Sequence, residues 1–269
     1  MILILLDRNA VSDIKYKVNG GKLLQPRSRK LRLLDRKEYV ISPILSIREG
    51  QLGIRENESE TKETIESETK IISRFFKRAK TDSKYLFKNR NELANIFAKN
   101  IEDKWDNYVL FLTEMNRFLY QPISKRDKNK YEEKILDSAL KHNITLGNPI
   151  LMGCFSILYG SDKSRKIFKF KEKDYIDKNI HNALNDLIII NRLSMIELLV
   201  KKHNSYEKVE FFTFDIGLDS FLKDITFKGQ NLTEGSIETD ITYDINLFPD
   251  LNEESFDKFK NRLLAKNEV

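Results

Sequence analysis

The chain has 269 residues, 40% hydrophobic and 33% charged, with a net charge of +6. That length allows a full buried core and that balance describes a globular chain, excluding a disordered one. No apolar run approaches the roughly 18 residues of a membrane span, and a single cysteine excludes an internal disulfide.

Met1 to Leu6 is an apolar run that stops abruptly at Asp7. It is too short for a signal-peptide core and has no basic lead, so it reads as a strand, and a cytoplasmic location is the expectation. A short helix comes next, then a basic loop with Lys22, Arg27, Arg29, Lys30, Arg32, Arg36 and Lys37, then a second strand over 38–41. Ser42 caps a helix that starts at Pro43, where a missing N–H costs nothing, and Glu49 falls two turns into it.

Residues 55–145 have helical periodicity. Ile65, Ile72, Phe75, Phe76 and Ala79 share one stripe within 59–80. A longer stripe, from Leu93 and Ile96 through Trp105, Leu112 and Leu119, predicts one helix over 91–120, and a third helix covers 130–142. Aromatic stripes of this kind are core. Cys154 sits in an apolar helix over 149–160 and reads as a buried hydrophobe; His142, His181 and His203 have no ligand spacing with it, which argues against zinc. A second basic run has Lys163, Arg165, Lys166, Lys169, Lys171 and Lys173 interleaved with Phe168 and Phe170. The remaining elements are a helix over 177–202, a strand over 209–214, a short helix holding Asp219 and Phe221, an edge strand over 241–247 and a final helix over 255–265. The basic runs either track a phosphate backbone, with Arg29, Lys30, Arg32, Lys166, Lys169 and Lys171 touching it, or are solvated faces.

Four acidic segments carry the chemistry: Asp7-Arg8-Asn9; Ser42-Pro43 leading to Glu49; Asp186 between Ala183 and Ile188; and Thr213-Phe214-Asp215, with Asp219 and Phe221 shortly after. In the first and last, an apolar run ends in an aspartate, as at the carboxyl edge of a parallel sheet, where open α/β folds put their sites. Clustered carboxylates repel one another unless a cation compensates, and oxygen donors suit Mg²⁺ or Mn²⁺. Asp186 lies on a very apolar helix, where either a metal or a base such as Arg192 must offset its charge.

In this order the segments resemble the PIN-domain nucleases, many of which are ribonuclease toxins of bacterial toxin–antitoxin pairs. The resemblance covers residues 1–50 and 145–227. It implies a three-layer α/β/α fold with a central, mostly parallel sheet and a large helical insertion. The corresponding division is a PIN-like domain in two parts, 1–54 and 146–229, an insertion over 55–145 and a C-terminal extension over 230–269. It further implies a Mg²⁺- or Mn²⁺-dependent endoribonuclease. Asp7, Glu49, Asp186 and Asp215 would be the catalytic metal ligands, Asp219 a further ligand, and Asn9 and Thr213 the groups that hold the carboxylates. The implied partners are an RNA substrate and an inhibitory protein, in a toxin or anti-phage role, with no membrane; self-association is left open. Arg8 departs from the family, which has a small residue there. Two other readings stand beside this one: a PIN-like module that binds RNA or protein without cutting, and a structure-specific DNA nuclease.

Overall fold

The computed structural model describes residues 1–50, 56–99, 104–173, 177–233 and 236–265. The chain divides into two compact units, one of residues 1–102 and 192–216, the other of residues 103–191 and 217–269. The expected insertion over 55–145 is thereby shared between them.

The first unit is mixed α/β. β1 (Ile2–Leu6) leads into α1 (Arg8–Val18), and Asp7 caps that helix by accepting the Arg8 N–H at 2.7 Å. The segment that reads as a basic loop is instead a helix, α2 (Gln25–Leu33). Pro26 lies in its first turn, where it is harmless, and one residue, Leu31, anchors it. Next come β2 (Tyr39–Ser42) and α3 (Ile44–Glu49). Pro43, not Ser42, is the cap residue of α3, although the Ser42 hydroxyl accepts the Ile44 N–H at 3.2 Å. Glu49 is the last residue of this six-residue helix.

α4 (Glu58–Phe75) opens with a reciprocal capping box, Asn57 taking the Glu60 N–H and giving its own N–H to the Glu60 carboxylate. β3 (Lys80–Thr81), α5 (Ser83–Lys88) and α6 (Arg90–Lys99) complete this stretch. α4 is buried along two lines. Ile71, Ile72 and Phe76 join Ile4, Leu6, Val11, Ile14 and Ile41 in the core under the sheet, and Ile65 packs with Ile47, Leu86 and Ala94. Leu3 and Leu5, which alternate with Ile4 and Leu6, are buried as well, so β1 is covered on both faces.

Asp35, in the turn after α2, accepts the N–H groups of Lys77, Arg78 and Ala79 at 3.1, 2.7 and 2.8 Å. Burial pushes its carboxyl up, but these bonds outweigh it and hold the pKa below the ordinary 3.8. Asp35→Ala strands the loop that feeds β3 and should cost about 1–2 kcal/mol at pH 7. Because the folded pKa is lowered, that contribution is lost as pH falls through it, so the gap between the urea melts of the two proteins should narrow as pH falls below the ordinary carboxylate range.

The second unit holds α7 (Trp105–Leu119), α8 (Lys128–Lys141), α9 (Pro149–Leu158) and α10 (Asp162–Phe168). The single helix expected over 91–120 is therefore two, α6 and α7, in different units. All ten residues of α9 are buried, Cys154 completely, so it is the axis of this unit. α11 (Asp177–His203) runs from the second unit into the first and returns the chain to β4 (Lys208–Phe212). α12 (Ile216–Leu222) then leads into the second unit's remaining elements. In place of the one edge strand expected there is an antiparallel hairpin, β5 (Ile225–Thr233) with β6 (Ser236–Tyr243). α13 (Glu253–Ala265) packs Phe259 against Phe155, Tyr159 and Phe248, and Arg262 pins the buried Glu132 through two bonds of 3.0 and 2.9 Å.

The first unit's sheet has the order β3-β2-β1-β4 with every pairing parallel. All four strands therefore end at one edge. At that edge stand Asp7 after β1, Pro43 and α3 after β2, Asp82 after β3, and Thr213 to Asp215 after β4.

Candidate active site

Asp7 is the centre of that edge. It is 3% exposed, and its carboxylate is held from both ends of the chain. Oδ1 accepts the Arg8 N–H, while Oδ2 accepts Asn9 Nδ2 at 3.2 Å and the Thr213 hydroxyl at 2.6 Å. The Thr213 oxygen in turn accepts the Asp215 N–H at 2.9 Å, which fixes the turn that presents Asp215. Thus the Asp-x-Asn and Thr-x-Asp segments, 206 residues apart from Asp7 to Thr213, form one hydrogen-bonded group because β1 and β4 are neighbours in register. Burial raises the Asp7 pKa, and the Thr213, Arg8 and Asn9 bonds only partly offset it. A carboxylate offers about four lone-pair positions, and the bonds from Thr213, the Arg8 N–H and the Asn9 side chain, with a further one from the Asn9 backbone, occupy them. A cation at Asp7 would take the place of one of these donors.

Glu49, at the end of α3, is pushed up to about 7, first by burial and next by the charge of Asp7, with Arg192 and Arg8 pulling the other way. Glu49 and Asp7 therefore act on each other. Asp215 is half-buried and joins the group through its backbone N–H on Thr213. Asp186 and Asp219 belong to the second unit. Asp186 is half-buried on α11, and Asp219 is exposed on α12, where it pairs with Lys223 at 2.6 Å. Among the described residues no three His, Cys, Asp or Glu side chains lie together as a ready metal cage.

Three further residues of this edge lie outside the sequence reading. Glu68, on α4, is 2% exposed and pairs with the Arg8 guanidinium, which also bonds the Ser46 hydroxyl at 3.3 Å. Burial drives Glu68 up to about 7 in spite of Arg8, and its Oε2 is buried without a hydrogen-bond partner among the described residues. The sequence signal for it is spacing: Glu68 falls on the buried stripe of Thr61, Thr64, Ile65, Ile71 and Ile72. Arg8 enters the sequence reading only as a departure from the family. Asp82, directly after β3, is raised to about 7 by burial despite a bond from Ser42, and its Oδ1 is buried without such a partner, as is Ser83 Oγ.

The basic runs have different surroundings. On α2, Arg29, Lys30 and Arg32 are exposed, while Arg27 pairs with Asp13 at 3.0 Å and lies 4.9 Å from the ring of Phe214, the residue between Thr213 and Asp215. Arg27 thus links α2 to the segment that carries Thr213 and Asp215. In the second unit Lys166, Lys169 and Lys171 are exposed, whereas Arg165 turns inward to the Leu119 and Ile157 carbonyls and Lys163 pairs with Asp224.

No helix among the described residues is long and apolar enough to cross a membrane. No family model, no curated protein and no solved structure matches the chain.

Proposed function

We propose that the first unit is a PIN-like phosphodiesterase that hydrolyses RNA with Mg²⁺ or Mn²⁺. The observation that carries this reading is the hydrogen-bonded group of Asp7, Asn9 and Thr213 at the carboxyl edge of a four-stranded parallel sheet. The donor set fits such an ion: hard oxygens on Asp7 and on Glu49, which is near enough for the two charges to be felt. Mg²⁺ is commonly held by one or two carboxylates and keeps several waters, so a ready cage of three acids is not required.

In this reading Asp7 and Glu49 hold the ion, and Asp215 holds it directly or through water. Asp186 enters on the sequence resemblance alone. A bound ion would lower the pKa of an attacking water and neutralise charge on the leaving oxygen. Thr213 and Asn9 keep the Asp7 carboxylate in one orientation, and substitutions of such supporting groups commonly cost about 10- to 100-fold in metal affinity. Arg29, Lys30 and Arg32 supply the positive surface along which a phosphate backbone approaches the edge.

Incubating the purified chain with labelled single-stranded RNA and the matching DNA, in Mn²⁺ or EDTA, tests the proposal. Cleavage of RNA in Mn²⁺ alone is expected. RNA binding without cleavage favours the non-cutting module, and cleavage of a branched DNA added as a third substrate, in preference to RNA, favours the DNA nuclease. Reversing Arg29, Lys30 and Arg32 to Glu should flatten the salt dependence of RNA affinity, by about 0.7 in the log–log slope for each phosphate no longer neutralised. An unchanged slope, read by filter binding across salt, would make α2 an ordinary solvated face.

A further inference from the structure

We infer that Arg8 is a positioning residue, a strut that sets the spacing of Asp7 and Glu49 for the ion; this rests on the metal-dependent reading above. Arg8 directly follows Asp7 and opens α1. Its Nη1 reaches Ser46 on α3 and Glu68 on α4. Ser46 is three residues before Glu49 in the same helix, so the two lie on one side of it. The guanidinium therefore ties the backbone that carries Asp7 to the helix that carries Glu49.

The need for such a tie is physical. Asp7 is buried and Glu49 half-buried, the two carry like charge, and α3 is only six residues long, ending at Gly50 in a left-handed φ of +80°. Without a constraint the carboxylates relieve their repulsion by moving apart, and an ion must then draw them back, at a loss of affinity. Arg8 holds them in place and is itself held, because Glu68 is almost fully enclosed and has Arg8 as its ion-pair partner. An ammonium is a hydrated point charge on a more flexible stem. Lysine is also shorter than arginine, so it cannot hold Ser46 and Glu68 as firmly as the Arg8 Nη1 does.

Removing Arg8 alone would strand the Glu68 charge and endanger the fold. The informative variant is Arg8→Met with Glu68→Met. It removes one positive and one negative charge, so the field at Asp7 and Glu49 changes little, and replacing a buried ion pair by apolar side chains of similar volume is commonly neutral for stability. Mn²⁺ affinity, read by the electron paramagnetic resonance of the free ion, should weaken by roughly 10- to 100-fold in this variant while the urea midpoint stays near wild type. Arg8→Lys should weaken it as well. Wild-type affinity in the double variant, or full affinity in Arg8→Lys, would overturn the strut. Absence of Mn²⁺ binding by the wild-type chain would instead remove the metal-dependent reading, and the inference with it.

Discussion

Asp7→Asn is expected to lower Mn²⁺-dependent RNA cleavage by about three powers of ten or more while leaving the fold intact. Losing a charged ligand forfeits several kcal/mol of transition-state stabilisation, and each ~1.36 kcal/mol is a factor of ten in rate. The fold should survive for two reasons. Asparagine caps a helix as well as aspartate, its oxygen taking the Arg8 N–H while its amide donates to the Thr213 hydroxyl oxygen, and the Asp7 carboxyl is enclosed strongly enough that its pKa is raised. A neutral amide there relieves both burial of charge and repulsion with Glu49. Metal-free thermal stability should therefore stay level or rise. The check is a paired measurement of single-turnover cleavage and calorimetry; full cleavage by the variant would remove Asp7 from the chemistry.

The second large effect is a reversal of sign at Glu49. Its carboxyl ionises at about 7 in the folded chain against an ordinary 4.5, so the folded state binds the proton more tightly than the unfolded one. Such a raised pKa contributes stability that is fully present below the ordinary value and is lost as pH rises through the folded one. Glu49→Gln does not titrate. Metal-free, the variant should match wild type near pH 4 and exceed it by about 3 kcal/mol at pH 8. Adding Mn²⁺ at about a hundred times its dissociation constant should stabilise the wild type by about 2.7 kcal/mol and the variant hardly at all, so the order of stabilities closes or inverts. Urea melts at both pH values, with and without Mn²⁺, decide it. A gap at pH 8 that metal leaves untouched would make Glu49 a strained structural acid and not a ligand.

The legible parts of this chain are those where burial and chemistry agree. β1 and β4 announce themselves as apolar runs that end in Asp7 and in Thr213 to Asp215, and the hydrogen bond between those segments follows from the pairing of the two strands. The long helices α4, α8, α9, α11 and α13 follow from periodicity. β3 does not, because it is two polar residues, Lys80 and Thr81, recruited by pairing with β2 and by nothing in its own side chains. Asp82 is hidden with it. α2 is hidden by Pro26 and its charges: a helix anchored at the single buried Leu31 has almost no apolar stripe to read. Glu68 is masked by composition. It shares α4 with Glu58, Glu60, Glu63 and Glu66, so the one buried acid looks like its solvated neighbours until the spacing of Ile65 and Ile72 is laid beside it. The mate of Glu68, Arg8, is 60 residues away, and a tertiary ion pair over that separation leaves no local pattern at all.

One measurement bears most directly on whether this sheet edge is a divalent-metal centre: anomalous diffraction at the manganese edge from crystals grown or soaked with Mn²⁺. A peak bonded, directly or through water, to an oxygen of Asp7 and to one of Glu49 is expected, and it should disappear in Asp7→Asn. A fully occupied peak elsewhere in the chain, or none at concentrations that saturate cleavage, would rule the metal centre out.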